Sequence, residues 1–495
     1  MARIKIDFDR RLGTVDRGIF GGFIEHIGRC IYGGIFEEGS PLSDERGFRR
    51  DVLEAVRALR LPNLRWPGGN FVSGYHWLDG VGPVENRPCK TDLAWFGEES
   101  NRFGTDEFIA YCRELETEPY ICVNMGTGTI DEAQAWVEYC NSAGNTHWAS
   151  LRRQNGHPEP FNVKYWGLGN ELYGSWQLGA MSAEDYVKKA REFAKVMRWT
   201  DPSIKLVSCG KDGWSDWDQI VVDGLAPFVD YHSLHIYTGS EDYYSNVFAP
   251  KQAERALKIT QGLIDRARYD QQISHPIYVA YDEWNVWYRA RGIEHRRSGV
   301  EEQYDLSDAL AVASYLNVFI RQCRTVRLAN LAQLVNAIGA LFTSKEGMFH
   351  QTIYHPVRLY SEHTQAIALD PFVECETYGR LAEHETSPRP HRVADLGPFP
   401  MLDVTATCDQ AGDTLVLGVV NRNRDRPIST TIELQDGRTA LRGVGYEVNG
   451  DGPQVLNTFE RPDAVGVRER RLGSGACLDY EFPANSVMFF IFLVT

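Results

Sequence analysis

Short apolar runs that favour β-structure recur along the first two thirds of the chain. The longer stretches between them carry apolar residues at helical spacing. Eight runs stand out, at residues 18–25, 62–66, 119–125, 163–171, 205–209, 231–237, 276–284 and 330–338. Between them, residues 50–59 pattern as an amphipathic helix and residues 105–115 as a helix opened by a capping threonine. Residues 182–199 repeat apolar positions every three or four, and residues 305–323, with Asp308, Ala309, Ala311 and Ala313, add another helix. Strand alternating with helix implies a parallel sheet, and eight repeats close it into a (β/α)8 TIM barrel, an α/β fold. A doubly wound sheet fits less well, because no Gly-rich phosphate turn follows the first run.

Beyond about residue 366 the helical period disappears. Residues 402–407, 414–421, 428–434, 467–472 and 477–482 read as short strands separated by turn residues, and Ser486–Val494 reads as a buried terminal strand. The pattern specifies a C-terminal antiparallel, jelly-roll-like β-sandwich. The alternating start, residues 3–8, is expected to cross over and join it. The expected division is a barrel over 16–366 and a sandwich built from 1–15 plus 367–495.

Within the barrel pattern, two glutamates break apolar runs: Glu171 in Tyr165-Trp-Gly-Leu-Gly-Asn-Glu171 and Glu283 in Ile277-Tyr-Val-Ala-Tyr-Asp-Glu283. A carboxylate at the end of a buried strand is costly unless paired or working. Barrel enzymes work at the C-terminal ends of their strands, and these two end the fourth and seventh runs. A pair of carboxylates across one barrel mouth suits a general acid and a nucleophile, as in glycoside hydrolysis. Glu171 is the acid/base candidate, with Asn170 placed to bond a sugar hydroxyl. Glu283 is the nucleophile candidate, with Tyr237 or Arg65 as hydrogen-bonding neighbours.

Other polar residues collect at the same ends: Glu25 and His26, Arg65 and Asn70, Asn124, His235 and Tyr237, Gln333 and Asn336. Arg65, Asn70, His235 and Tyr237 are expected to contact substrate. Asp282 should point to the opposite strand face from Glu283 and be structural. Glu25, His26, His232 and His235 lack metal-ligand spacing, and His232 and His235, three apart on a strand, should face opposite sides. No metal and no cofactor is expected. The stretch Arg65-Trp-Pro-Gly-Gly-Asn70 is a strand entering a tight turn, whereas Gly126-Thr-Gly128 lacks the lysine of a phosphate loop.

A net charge of −15 and a pI of about 5.4 exclude the basic stripe a nucleic-acid partner requires. No run is long enough to span a membrane, and no signal-peptide pattern opens the chain. The ten cysteines are scattered without Cys-x-x-Cys pairs, as buried thiols in a reducing compartment would be. A cytoplasmic protein is expected. The 12 Trp and 23 Tyr serve core packing, and their faces also suit stacking on sugar rings.

Seven motifs recur together: Gly21-Gly-Phe-Ile-Glu-His-Ile-Gly-Arg29, Tyr32-Gly-Gly-Ile-Phe-Glu37, Arg65-Trp-Pro-Gly-Gly-Asn70, Asn101-Arg-Phe-Gly-Thr105, Val123-Asn-Met-Gly-Thr127, Leu168-Gly-Asn-Glu171 and Asp282-Glu-Trp-Asn-Val-Trp-Tyr288. With Leu331-Ala-Gln-Leu-Val-Asn336 and Gln351-Thr-Ile-Tyr354, they make the chain resemble glycoside hydrolase family 51 over nearly its whole length. That family consists mainly of α-L-arabinofuranosidases. The resemblance implies a retaining double displacement, with Glu171 as acid/base and Glu283 as nucleophile. It implies sugar-binding roles for Glu25, Asn70, Asn170, Tyr237 and Gln351, and pocket walls at Trp95 and Trp287. It further implies an arabinose-containing oligosaccharide substrate, from arabinoxylan or arabinan, and a homo-oligomer, with a hexamer favoured. Three features depart from the family pattern: Gly167 in place of Cys, Ala337-Ile-Gly-Ala, and a short 289–302 loop.

Overall fold

The computed structural model describes residues 1–288, 300–379 and 393–495. Eight parallel strands close a barrel: β1 (Gly21–Phe23), β2 (Asn63–Trp66), β3 (Glu118–Val123), β4 (Tyr165–Leu168), β5 (Lys205–Ser208), β6 (Tyr231–Thr238), β7 (Tyr278–Val286) and β8 (Val326–Ala332). Each pairs with its sequence neighbours, and β8 closes on β1 through Asn330 opposite Gly21. Two of the expected strands move. The first run opens as a 3-10 turn over Arg17–Phe20 before β1. The eighth strand begins four residues earlier than its pattern suggests, so residues 333–338 are loop, with Asn336 and Ile338 at positive φ.

The helices obey their local chemistry. Ser182 accepts a hydrogen bond from the Asp185 amide and starts Ala183–Thr200, whose Tyr186, Ala190, Phe193 and Met197 form one buried face. Gly104, not Thr105, caps Thr105–Glu114, because the Glu107 side chain reaches back to the Gly104 amide. The Thr105 hydroxyl instead accepts from the Trp136 indole.

Helix Leu306–Arg321 is buried on every side from Leu306 to Ile320. It packs against β7 on one side and against strands Leu402–Cys408, Thr414–Asn421 and Ser486–Val494 on the other. An all-round apolar helix belongs between two layers, and this one joins barrel to sandwich. Its Asn317 donates to the backbone and side chain of Asp403, and its Arg321 pairs with the same carboxylate.

The sandwich has a four-stranded and a seven-stranded sheet. Ala2–Ile6 lies in the smaller sheet, parallel to Ile428–Leu434, and Arg11–Thr14 edges the larger. Four strands of these sheets escaped the sequence pattern: Arg11–Thr14, Ile367–Leu369, Phe372–Glu374 and Ala440–Asn449, the last lying between Ser486–Val494 and Gly466–Leu472. Its Gly443 and Gly445 blunt the β signal, yet a Cβ at Gly443 would sit 2.6 Å from the Phe492 ring. The glycine there makes room for an aromatic neighbour.

Inside the barrel, Tyr120, Val207, Ala280 and Leu328 form a small apolar cluster flanked by Tyr165 and Tyr231. This floor excludes water from the layer above, where the charged residues lie. Among the described residues no helix is long and apolar enough to cross a membrane.

Candidate active site

Above that floor opens a cavity of about 340 Å³, walled in part by Trp95, Trp176 and Trp287. Glu171 and Glu283 both line it. One carboxylate oxygen of each, with a ring nitrogen of His235, lies within 4.8 Å of the others. Glu171 is not the last residue of a strand. β4 stops at Leu168, and Gly169 and Glu171, at φ +78° and +44°, turn the chain over the barrel mouth.

Arg65, buried on β2, organises the nucleophile candidate. Its Nη1 donates to Glu283 Oε1 at 2.7 Å, and its Nη2 donates to Asn170 Oδ1 at 2.7 Å. The guanidinium lies 4.5 Å from the centre of the Phe23 ring. Tyr237 donates its hydroxyl proton to the other oxygen, Glu283 Oε2, at 2.8 Å. Asn170 spends its oxygen on Arg65, and its buried Nδ2 has no hydrogen-bond partner among the described residues. A buried amide donor without a partner is costly unless a ligand accepts from it.

Asp282 corrects one expectation. It does not face away from the site. Along β7 the pairing slips three times, between Ser233 and His235 on β6 and, towards β8, between Val279 and Ala280 and between Tyr281 and Trp284. The extra residue is a β-bulge, which turns two successive side chains inward. Asp282 therefore accepts from the Tyr120 and Ser233 hydroxyls, each at 2.7 Å, and lies 3.6 Å from Arg65 Nε. Burial opposes its charge, but Arg65 and His235 hold the carboxyl well below the usual carboxylate range.

His235 stands among three carboxylates: Glu171 at 3.1 Å, Asp282 at 3.2 Å and Glu283 at 3.5 Å. Burial alone would favour the neutral ring, yet these anions raise its pKa to about 10, so it is an imidazolium at neutral pH. His232 points away, to Ser208 and Asp218, as the strand alternation requires.

Glu25 accepts from the Phe71 amide at 3.0 Å, the Trp95 indole at 2.8 Å and Gln333 Nε2 at 3.0 Å. Burial pushes its carboxyl up to about 8 despite the Phe71 bond, with the Glu283 charge adding to the rise. Gly69, at φ +67°, passes so close that a Cβ there would lie 2.1 Å from Glu25 Oε2. Asn70 lines the cavity, and Trp287 closes it edge-on to Tyr237.

Gln351 is not at this site. Its Oε1 accepts from the Tyr304 amide, and its Nε2 donates to the carbonyls of Glu302 and Gly339. Those three bonds use up the amide as a loop brace. Gln333, at the end of β8, lines the cavity instead. His26, Asn124 and Asn336 also turn away from it. His26 contacts Glu99 and Trp66, while Asn124 and Asn336 brace loops. Sequence reasoning missed Tyr173 and Trp176, which both donate to Glu171. The only signal for them was an aromatic pair in the Gly-containing turn just after the glutamate. Val300 and Ile338, also unanticipated, complete the wall. Of the 289–302 loop, residues 289–299 lie outside the described residues.

Two family models match the chain, the α-L-arabinofuranosidase 1 domain over residues 55–255 and the α-L-arabinofuranosidase C-terminal domain over residues 282–486. Alpha-L-arabinofuranosidase C of Emericella nidulans is 43% identical, over 98% of this chain and 96% of that protein. The intracellular exo-α-(1→5)-L-arabinofuranosidase 1 of Bacillus subtilis is 37% identical, over 88% of this chain and 87% of that protein. The solved thermostable GH51 α-L-arabinofuranosidase from Thermotoga petrophila superposes with a TM-score of 0.91 at 43% identity, covering 99% of this chain and 100% of that one.

Proposed function

The chain belongs to the α-L-arabinofuranosidases of glycoside hydrolase family 51, and from that premise we propose a retaining, exo-acting reaction on arabinose-bearing oligosaccharides. The observation that supports the retaining mechanism is the approach of Glu171 and Glu283, with one oxygen of each within 4.8 Å of the other. Retaining pairs hold their carboxyls about 5–5.5 Å apart, whereas inverting pairs leave about 6.5–9.5 Å for a water.

In the first step a Glu283 oxygen bonds to the anomeric carbon as its bond to the leaving oxygen breaks. Glu171 gives that oxygen its proton. In the second step water attacks the same carbon, its proton passes to Glu171, and the bond to Glu283 breaks. Arg65 and Tyr237 aim the nucleophile by holding its two oxygens. Asn170 Nδ2 is placed to donate to a hydroxyl of the arabinosyl ring, and Glu25, Asn70 and Gln333 supply further polar contacts. A cavity of about 340 Å³ is small for a ligand site, which supports binding of a terminal sugar over a long chain. Linear 1,5-linked oligosaccharides are the first candidates, after the linkage named for the Bacillus relative; arabinoxylan fragments are the second. That name and the ten free thiols support a cytoplasmic setting.

Glu283→Ala is expected to abolish turnover, with azide rescuing it as a glycosyl azide of inverted configuration. Glu171→Ala should spare aryl arabinofuranosides far more than unactivated oligosaccharides. An inverted anomer as the first-formed product of the parent enzyme, followed by NMR, would overturn the retaining mechanism.

A further inference from the structure

We propose that Val300 and Ile338 are specificity-determining residues, a strained aliphatic wall that shuts out any substituent on the exocyclic oxygen O5 of the sugar being cleaved. The inference rests on the exo-acting reading above and names the residues that enforce it. In a 1,5-linked chain every residue except the non-reducing terminal one carries its neighbour on O5. A wall at O5 therefore admits chain ends alone.

Among the described residues other than glycine at positive φ, only Val300 and Ile338 are β-branched, at +57° and +41°. A β-branched side chain in that region is a genuine outlier. Such a backbone persists only where its surroundings hold it, and it gathers at ligand sites. The Ile338 amide donates to the Val300 carbonyl at 2.9 Å, and Glu301 bridges to Ala337 beside it. The Ile338 carbonyl accepts from Asn285 Nδ2 at 2.8 Å and from the Gln333 amide at 3.3 Å. Asn285 follows Glu283 on β7, and Gln333 itself lines the cavity. The bonds that hold the strain thus tie the pair to the strand of the nucleophile. Both side chains are buried, and both line the cavity.

The barrel places this wall across from the acid. In a closed ring of eight strands, β8 lies opposite β4. Glu171 follows β4, whereas Ile338 follows β8, and Ile27, another aliphatic lining residue, follows the adjacent β1. The glycosidic oxygen on C1 must lie at Glu171 to be protonated. C5 is the carbon of an arabinofuranosyl group farthest from C1, and it is the only methylene. With C1 at the acid, the sugar turns its least polar end to the aliphatic wall. One methylene too many in an apolar pocket changes selectivity by about 10–200-fold.

The test compares kcat/KM for an aryl α-L-arabinofuranoside and for its 5-O-methyl ether in the parent, Ile338→Ala and Ile338→Gly. The two substrates share one enzyme sample, so a merely destabilised variant loses activity on both alike. The parent should prefer the unmethylated substrate by about 10–200-fold, and both variants should narrow that preference by about tenfold. Ile338→Gly should melt above Ile338→Ala, because glycine takes positive φ without strain and alanine does not. A parent that accepts the ether equally, or folded variants that keep the parent's preference, overturns the proposal. An alanine variant melting at or above the glycine one overturns the strained backbone. Should neither variant fold, Val300→Ala and Val300→Gly give the same decision. Arabinobiose as the first-formed product of the parent from linear 1,5-linked arabinohexaose would sink the exo reading itself. Arabinose as that product, beside an unmoved preference in the variants, sinks only the wall.

Discussion

Replacing Arg65 by methionine tests how the nucleophile is held. The guanidinium is 1% exposed and contacts Glu283, Asn170 and the Asp282 backbone, with the Asp282 carboxylate 3.6 Å away. At the 2.7 Å separation from Glu283, Coulomb attraction is about 6 kcal/mol at an effective dielectric of about 20. Much of that is offset because Arg65 itself is taken out of water. Breaking a buried pair from one side typically costs about 3–5 kcal/mol, since the remaining charge stays buried. Here two carboxylates, Glu283 and Asp282, lose a cation, so the upper half of that range is expected. For a unit of about 350 residues the cost corresponds to a fall in Tm of about 5–7 °C. The assay is thermal melting, alongside kcat/KM on an aryl arabinofuranoside. Arg65→Lys is the informative control. It keeps the charge but cannot bond Glu283 and Asn170 together as the planar fork does, so it should recover much of the Tm and little of kcat/KM. A methionine variant melting within 1 °C of the parent would refute the reasoning, as would a lysine variant with full activity.

Two further predictions concern His235 and the glutamines. The His235 pKa rises from 6.5 to about 10 in the folded state, so its stabilisation is complete below about pH 6.5 and is lost as pH rises through about 10. Glu25, raised from 4.5 to about 8, adds a loss of the same sign at lower pH. His235→Gln should therefore flatten the alkaline fall of Tm above pH 8 while leaving the fall near Glu25's range, and an unchanged profile would contradict the imidazolium. Gln333→Ala should raise KM or lower kcat with a modest Tm change, whereas Gln351→Ala should lower Tm and act on turnover only indirectly. The reverse pattern, read from kinetics and melting together, would restore Gln351 to the substrate site.

Much of this architecture is legible in the pattern of the chain, because each barrel strand is a short apolar run between long amphipathic helices. Glu171 and Glu283 are legible for a related reason: a carboxylate interrupting an apolar run is conspicuous. What escapes is set by non-local geometry. The inward turn of Asp282 depends on a bulge that exists only between paired strands, and strict alternation sends it the wrong way. Gln333 and Gln351 look equivalent in sequence, and only the carbonyls of Glu302 and Gly339 show that the second is already occupied. Tyr173 and Trp176 lie in a turn without periodicity, so no pattern could assign them to Glu171. Ala440–Asn449 is hidden by glycines whose purpose is the packing of Phe490 and Phe492 on the neighbouring strand.

The parallel pairing of Ala2–Ile6 with Ile428–Leu434 has a consequence for biosynthesis. Ala2 faces Thr430, so a strand made early must wait for a segment made much later before this pairing can form. At translation rates of about 5–20 residues per second, that interval is roughly 20–90 s, during which the barrel can form before Ala2–Ile6 meets Ile428–Leu434. The four-stranded sheet is then completed late, joining Ala2–Ile6 to Phe372–Glu374, Ile428–Leu434 and Cys477–Phe482. Vectorial synthesis builds this enzyme from the middle outwards.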